Sequence, residues 1–222
     1  MKIAVLGTGA VGNSIGTKLS QLGHEVKMGS RTANNEKAAS WLKTAGAKAS
    51  QGTFADAAAF GEIIFNCLNG MATLEALKLA GAENMKGKIL VDIANPLDFS
   101  KGFPPTLSVC NDNSLGEQIQ KAFPDIKVVK TLNTMTCFVM VNPSLVPGDH
   151  SVFVSGNDEA AKTKVKELLN SFGWKNNNII DLGDITTARG TEQLLPVWVR
   201  LYGKFQHAMF NFNIVMGEAP KK

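Results

Sequence analysis

The sequence lacks the features that mark several broad classes of protein. Its three cysteines, Cys67, Cys110 and Cys137, are odd in number and have no CxxC spacing. That pattern fits reduced thiols better than a disulfide framework or a metal site, so no metal is expected. No apolar run approaches the roughly 18 residues of a membrane span, and the run from 3 to 6 is too short for a signal peptide. A cytoplasmic protein without a membrane partner is therefore expected.

Strong charge is absent as well. The 23 basic and 19 acidic residues give a formal net charge of +4, and the basic residues form no run interleaved with aromatic side chains. Nucleic-acid binding therefore has little support. The apolar content of 44% and the charged content of 19% are ordinary for a globular protein, and the length allows a full core.

A glycine-rich turn near the start predicts a dinucleotide site. Residues 7–12 have the spacing GxGxxG and follow a predicted buried strand, Lys2–Leu6. In such a turn the first glycine makes the bend, the second lets the backbone approach a pyrophosphate, and the third packs the helix on the strand. The following helix binds phosphate through its free N–H groups. The predicted cofactor-binding residues here are Gly7, Thr8, Gly9, Ala10, Val11 and Gly12.

A carboxylate is missing where an NAD site needs one. NAD-binding folds place an Asp or Glu about 20 residues beyond the glycines, where it binds the ribose 2′-hydroxyl. Residues 29–35 contain no acidic residue, and Ser30, Arg31 and Thr32 end the second predicted strand. A guanidinium fork beside two hydroxyls suits a 2′-phosphate. The sequence therefore predicts NADP, although Arg31 could also be a solvated turn residue.

Predicted strands and helices alternate along the chain, which favours a mostly parallel sheet covered on both faces. The predicted fold is α/β: a Rossmann-type, doubly wound domain over residues 1–183 and a C-terminal helical segment over residues 184–222. Three strands end in small polar pairs, at Asn69-Gly70, Asn95-Pro96 and Asn133-Thr134. Such residues often merely terminate strands. Because ligands bind outside the carboxyl ends of parallel strands, these three ends together predict a cofactor trough.

Two later segments are predicted to cover the trough. Residues 97–113 have no periodicity, and long irregular loops are often lids or binding loops. Residues 187–212 carry apolar residues at spacings of 3 and 4, which predicts one long helix or two joined near Pro196. The broad apolar face must be covered by the main domain or a second subunit, so a homodimer is expected.

The hydride acceptor is expected between the trough and these two segments. Asn133 and Thr134 would line it, and Arg189 would bind an anionic tail of the acceptor or form a salt bridge within the terminal segment. Cys137 is placed beside the nicotinamide, with simple packing as the alternative.

No acid–base constellation is visible, and no catalytic residue is assigned. Asp92, inside an apolar strand, is expected to have a hydrogen-bonded structural role, and Lys130 to be a solvated strand lysine rather than a proton donor. Hydride transfer between two bound cofactors needs alignment and exclusion of water more than an acid or base. A carbonyl or imine reductase needs a placed proton donor.

Four segments together resemble the family of F420-dependent NADP oxidoreductases. They are Gly7-Thr8-Gly9, Gly29-Ser30-Arg31, Asn133-Thr134 and the stretch from Asp184 to Glu192. The resemblance covers nearly the whole chain. It implies a Rossmann domain with a small C-terminal part, commonly a dimer, and hydride exchange between NADPH and the deazaflavin F420.

The resemblance also implies roles for individual residues. The pyrophosphate would be bound by residues 8–11, the 2′-phosphate by Ser30 and Arg31, and the ribose and nicotinamide by Asn69, Asn95 and Cys137. One position departs from the archaeal members, which have a His before the Thr near the deazaflavin where this chain has Asn133.

The departure at Asn133 leaves the acceptor open between F420 and a flavin. The same domain resembles the cytoplasmic part of NADPH-dependent ferric reductases of the STEAP type. The alternatives are an NADPH-dependent reductase of a small carbonyl, an imine or a ferric–flavin substrate, and a non-catalytic NADPH-binding sensor.

Overall fold

The computed structural model describes residues 1–218. Its main element is an eight-stranded sheet in the order β10-β9-β8-β5-β4-β1-β2-β3, beside a two-stranded hairpin, β6-β7. The strands are β1 Lys2–Leu6, β2 Glu25–Ser30, β3 Ala49–Thr53, β4 Ile63–Asn66, β5 Ile89–Asp92, β6 Leu97–Asp98, β7 Thr106–Leu107, β8 Lys127–Thr131, β9 Val152–Gly156 and β10 Ile179–Gly183. Every pair in the large sheet is parallel except β8 with β9.

Helices cover both faces of the sheet. They are α1 Ala10–Gln21, α2 Glu36–Ala45, α3 Phe54–Phe60, α4 Gly70–Ala80, α5 Ala82–Met85, α6 Leu115–Ala122, α7 Cys137–Val141, α8 Glu159–Phe172, α9 Ala188–Gln193 and α10 Leu195–Phe205. Alternate strand residues face one core with α1, α2, α7 and α8, and a second core with α3, α4 and α6. The predicted doubly wound fold class is confirmed.

Local sequence signals explain where several helices begin. The side chain of Asn35 accepts hydrogen bonds from the N–H groups of Lys37 and Ala38 at the start of α2. Thr53 and Asp56 form a reciprocal capping box at the start of α3. Such caps satisfy N–H groups that have no partner within the helix, so they fix its first residue.

The strand register aligns polar residues at one edge of the sheet. Leu6, the last residue of β1, lies opposite Asn66 at the end of β4. Asn66 lies opposite Asp92, and Asp92 lies opposite Lys130. The carboxyl ends of the central strands therefore meet at one level, which is where parallel α/β sheets bind ligands.

The structure adds detail to the two segments that were predicted to cover the trough, residues 97–113 and 187–212. Residues 97–113 are not wholly irregular, because they contain the short β6-β7 hairpin. The terminal segment forms two helices, as one of the two alternatives predicted: α9 stops at Gln193 and α10 starts at Leu195, with Pro196 in its first turn. Proline has no N–H to donate to the preceding turn, which accounts for the break.

The last helix ends earlier than expected, at Phe205 rather than near Phe212. Gln206 takes a left-handed backbone conformation, and residues 206–218 have no regular secondary structure. The chain returns to the sheet, where Ser151 N–H donates to the carbonyl of Phe212 at 2.8 Å. Part of the apolar face therefore folds back on its own chain. The division at residue 183 stays a prediction, and residues 219–222 of the predicted segment lie outside the described residues.

Between residues 1 and 218, no helix is long and apolar enough to cross a membrane.

Candidate functional site

The glycine turn after β1 leaves space only where the predicted pyrophosphate would lie. Gly7 has a φ of +118°, and a Cβ there would be 2.6 Å from the carbonyl oxygen of Cys67. A Cβ on Gly12 would lie 2.0 Å from the carbonyl oxygen of Gly7, so the third glycine lets α1 pack directly on the turn. A Cβ on Gly9 would meet nothing within 4 Å. The first and third glycines are thus required by the turn and by the packing of α1, and the role of Gly9 in pyrophosphate binding stays a prediction.

The N-terminus of α1 directly follows this turn. The helix begins at Ala10, and its N-cap, Gly9, supplies no side-chain cap. The amide of Asn13 donates to the carbonyls of Thr8 and Gly9 at 3.0 and 3.1 Å, which fixes the turn before the helix. The first N–H groups of a helix have no partner within it and carry its positive dipole end, so they can bind an anion.

Arg31 and Ser30 lie beside the same turn. A pocket is lined by residues from both parts of the predicted site: Gly7, Thr8, Ser30, Arg31, Asn35, Phe54 and Leu68. The Ser30 hydroxyl donates to the carbonyl of Thr32 at 2.6 Å and accepts from its N–H at 3.3 Å, which fixes this bend. Arg31 is exposed. The guanidinium therefore stands at the rim of a pocket continuous with the glycine turn.

The three polar strand ends lie at the same edge and contact one another. Asn69 caps α4 by accepting from Met71 N–H at 2.9 Å. A Cβ on Gly70 would be 1.9 Å from the carbonyl oxygen of Asn95, so α4 begins directly against the end of β5. Asn95 donates from its side chain to the carbonyl of Asn133 at 2.8 Å, and the Asn133 amide donates back to the Asn95 side chain at 2.9 Å. This reciprocal pair connects the ends of β5 and β8.

Asn133 and Thr134 are almost wholly buried, at 2% and 1% exposure. The preceding residue, Leu132, is also buried and has a left-handed backbone with a φ of +62°. Such a conformation is costly for a branched side chain and persists only where surrounding packing imposes it. The strand end is therefore a constrained turn rather than a loose loop.

Two buried cysteines lie near this edge. Cys67 follows β4, and Cys137 is the first residue of α7. Burial raises the pKa of the Cys67 thiol, and the nearby Asp92 and Cys137 raise it further. Cys67 is therefore a neutral thiol, which fits packing rather than nucleophilic chemistry.

Arg189 is bound to another helix. Its guanidinium donates to both carboxylate oxygens of Glu117 in α6, at 2.9 and 2.5 Å. Hydrogen bonding from Arg189 lowers the pKa of the Glu117 carboxyl. A salt bridge was one of the two predicted roles for this residue, but its partner lies in α6 rather than in the terminal segment. Acceptor binding by Arg189 stays a prediction.

Comparison with known proteins shows the family of this chain. A model described as NADP oxidoreductase, coenzyme F420-dependent, matches residues 2–96. The F420-dependent NADP reductase of Methanocaldococcus jannaschii is 32% identical over 215 residues, covering 93% of this chain and 94% of the relative. The chain belongs to the F420-dependent NADP oxidoreductase family. The resemblance inferred from the sequence is therefore confirmed. So is the prediction of an NADP-dependent oxidoreductase.

This member of the F420-dependent NADP oxidoreductase family is also similar to two further proteins. The crystal structure of a candidate F420-dependent NADP reductase from Arthrobacter sp. FB24 is 54% identical, covers 97% of this chain and 100% of the other, and has a TM-score of 0.91. The metalloreductase STEAP3 of Rattus norvegicus is 30% identical over 205 residues, covering 89% of this chain but 38% of the relative. The similarity to STEAP proteins inferred from the sequence thus concerns part of those proteins.

This family member also contains a buried ionic cluster that the sequence analysis missed. The ammonium group of Lys130 lies 2.8 Å from a carboxylate oxygen of Asp92 and 2.8 Å from one of Glu192. The expectation of a solvated Lys130 is wrong, because the residue is 1% exposed. The structural role expected for Asp92 is confirmed. A signal was available in the sequence, since Asp92 and Lys130 have opposite charges and each occurs near the carboxyl end of an apolar strand.

The environment of Lys130 favours its charged form. Burial alone would lower the pKa of the ammonium group, but Asp92 and Glu192 together raise it above its ordinary value. Glu192 also accepts hydrogen bonds from the N–H groups of Leu115 and Gly116, at 2.8 and 3.1 Å. The second negative charge of the cluster is therefore balanced by the N-terminus of α6.

Proposed function

We propose that this protein binds NADPH along the carboxyl edge of its sheet and transfers a hydride from it to a deazaflavin or flavin-like acceptor. One observation carries the proposal: Gly7 and Thr8 of the glycine turn line one pocket together with Ser30 and Arg31, and the uncapped start of α1 follows that turn directly. The turn and the helix N-terminus suit a pyrophosphate, and the Arg31 guanidinium suits a 2′-phosphate. The deazaflavin F420 is the first choice of acceptor because the M. jannaschii relative is named for it.

The ribose and nicotinamide would lie beyond the strand ends. Asn69, Asn95 and Cys137 would border them, and Asn133, Thr134 and Arg189 would border the acceptor. The reciprocal hydrogen bonds of Asn95 and Asn133 support this assignment, since they fix the edge that a nicotinamide would face. For direct transfer the two reacting carbons must approach to about 3–3.5 Å, so rigid walls are needed more than a proton donor.

Mixing experiments separate this function from its alternatives. The protein loaded with NADPH is mixed in a stopped-flow instrument with F420, with FMN, with FMN plus a ferric chelate, and with a panel of ketones and imines. The loss of NADPH absorbance is followed in each case. We expect the fastest oxidation with F420. Oxidation by ketones or imines alone would indicate a carbonyl or imine reductase. NADPH binding without oxidation by any acceptor would indicate a sensor.

Arg31→Ala should remove most of the preference for NADPH over NADH. We expect wild-type protein to bind NADPH at least tenfold more tightly, a difference of about 1.4 kcal/mol. The reason is that Arg31 is the guanidinium nearest the predicted 2′-phosphate, and no carboxylate follows β2 to favour NAD. Titration calorimetry with both nucleotides measures the effect. NADH affinity should be unchanged in the variant, and equal affinities for the two nucleotides in wild-type protein would refute the NADP assignment.

We also propose that the protein is a homodimer that uses its terminal segment. Trp198 stacks on Tyr202 and Phe210 of its own chain, yet Tyr202, Phe205 and Val197 remain exposed on α10. Exposed apolar patches of this kind commonly mark interfaces. Light scattering at micromolar concentration should give the mass of two chains, and Phe205→Lys should give one. A wild-type monomer would show that the intramolecular packing is all that the segment provides.

A further inference from the structure

The buried cluster of Lys130 makes one continuous set of polar contacts from the terminal segment to the predicted nicotinamide edge. Its ammonium group donates hydrogen bonds to a carboxylate oxygen of Asp92 and to the carbonyl oxygen of Ala94, and it forms an ion pair with Glu192 at 2.8 Å. These three contacts fix the position of the ammonium group from three sides.

The far side of the cluster reaches the strand ends. Asp92 accepts from the side-chain amide of Asn66 at 2.7 Å and from Ala94 N–H at 3.2 Å. Ala94 is therefore bound at its N–H by Asp92 and at its carbonyl by Lys130. The next residue is Asn95, which makes the reciprocal pair with Asn133. The position of that pair thus depends on the peptide that the cluster fixes.

On the side of the terminal segment, the cluster includes Glu192 of α9. Glu192 is 1% exposed and binds Lys130 as well as the first two N–H groups of α6. A second carboxylate contact between the same helices, from Arg189 to Glu117, does not reach Lys130. Glu192 therefore connects α9 by charged contacts both to α6 and to the sheet.

Stability alone does not account for such a cluster. Replacing a buried ionic group by well-packed apolar residues is often neutral or stabilising, so the retained charges suggest a geometric purpose. We propose that Glu192, acting through Lys130 and Ala94, is a positioning residue that fixes the Asn95–Asn133 pair at the nicotinamide edge and aligns the terminal helices over it. The proposal rests on the proposed function for its role in hydride transfer.

The structural part is tested by NMR without any acceptor. In Glu192→Gln, the side-chain amide signals of Asn95 and Asn133, assigned by substitution, should shift relative to wild type. The matched control is Glu117→Gln, which removes the other carboxylate contact between α6 and α9 and should leave those signals in place. Unchanged signals in Glu192→Gln, with faster amide exchange only at Leu115 and Gly116, would show that Glu192 merely caps α6 and would overturn the proposal.

A measurement on wild-type protein covers the case in which Glu192→Gln does not fold. A hydrogen-bond scalar coupling from the Lys130 Nζ to the carbonyl carbon of Ala94, and nuclear Overhauser contacts between the Lys130 and Glu192 side chains, should both be detectable. Their absence would overturn the proposal. Because these readouts need no acceptor, they separate failure of this inference from failure of the proposed function.

The functional part of the proposal is tested by comparing the turnover number with the affinity for NADPH. With the acceptor that wild-type protein reduces fastest, Glu192→Gln should lower the turnover number at least tenfold, while the dissociation constant of NADPH stays within threefold. Glu192→Asp, which keeps the charge, should recover part of the turnover. Wild-type turnover in Glu192→Gln would contradict the positioning role even if the NMR signals shift.

Discussion

Lys130→Met is expected to lower the free energy of unfolding by about 3–5 kcal/mol, the usual effect of removing one partner from a buried ion pair. The ammonium group lies between two buried carboxylates, and both would lose their only cationic side-chain contact in the cluster. Two buried carboxylates would then remain in the core with no cation between them. Urea unfolding monitored by tryptophan fluorescence measures the change, since the chain has three tryptophans.

The matched control is a lysine whose ion pair is exposed. Lys164 contacts Glu167 at 2.6 Å on the surface of α8, so Lys164→Met should change the free energy of unfolding by no more than about 0.5 kcal/mol. An equally small effect for Lys130→Met would mean that the buried charges are not a stabilising cluster.

The same variant has a predictable pH dependence. The pKa of Lys130 is raised in the folded protein, so its stabilising contribution is complete below the ordinary lysine value. The contribution is lost only as the pH rises through the higher folded-state pKa. The difference in unfolding free energy between wild type and Lys130→Met should therefore be flat from about pH 7 to pH 9 and should fall in more alkaline solution.

A second large effect, on NADPH affinity, is expected from a substitution in the glycine turn. In Gly12→Ala the new methyl group would lie 2.0 Å from the carbonyl oxygen of Gly7, so α1 must move away from the turn. We expect the affinity for NADPH to fall at least a hundredfold, about 2.7 kcal/mol, with a loss of thermal stability. Calorimetric titration and thermal unfolding measure the two effects.

Gly9→Ala distinguishes an effect on NADPH binding from an effect on folding. Gly9 has a φ of −80° and its Cβ position is open, so alanine fits the apoprotein without strain. The methyl group would instead occupy the space of the predicted pyrophosphate, so NADPH affinity should fall at least tenfold while thermal stability is retained. Gly203→Ala in α10, where the Cβ position is also open, should leave NADPH affinity unchanged. Wild-type affinity in Gly9→Ala would place the pyrophosphate elsewhere.

The sequence could predict a candidate cofactor site because the residues that define it lie close together in the chain. The glycine turn, α1 and Arg31 lie within about 30 residues, and the physical role of each follows from its neighbours in the chain. Parallel strands then bring their carboxyl ends to one edge, so the proximity of Asn95 and Asn133 could be expected from sequence. Their reciprocal hydrogen bonds could not, since these depend on side-chain orientation.

The buried Lys130 cluster could not be predicted because its members are distant in sequence. Glu192 contacts Leu115 and Lys130, which are 77 and 62 residues away, and α6 carries no motif that marks it as their meeting point. A lysine on a strand is usually solvated, and burial became favourable here only because Asp92 and Glu192 surround the ammonium group. The early end of α10 coincides with the left-handed backbone at Gln206, beyond which the chain turns back so that Ser151 donates to Phe212.

Direct transfer of the hydride tests the central claim. NADPH carrying deuterium at C4, on one face and then on the other, is incubated with the protein and F420, and the reduced deazaflavin is analysed by mass spectrometry. We expect deuterium in the product from only one of the two labelled cofactors, because a rigid edge presents one face of the nicotinamide to the acceptor. Reduced F420 without deuterium from either cofactor, or no reduction of F420 while NADPH stays bound, would contradict the account.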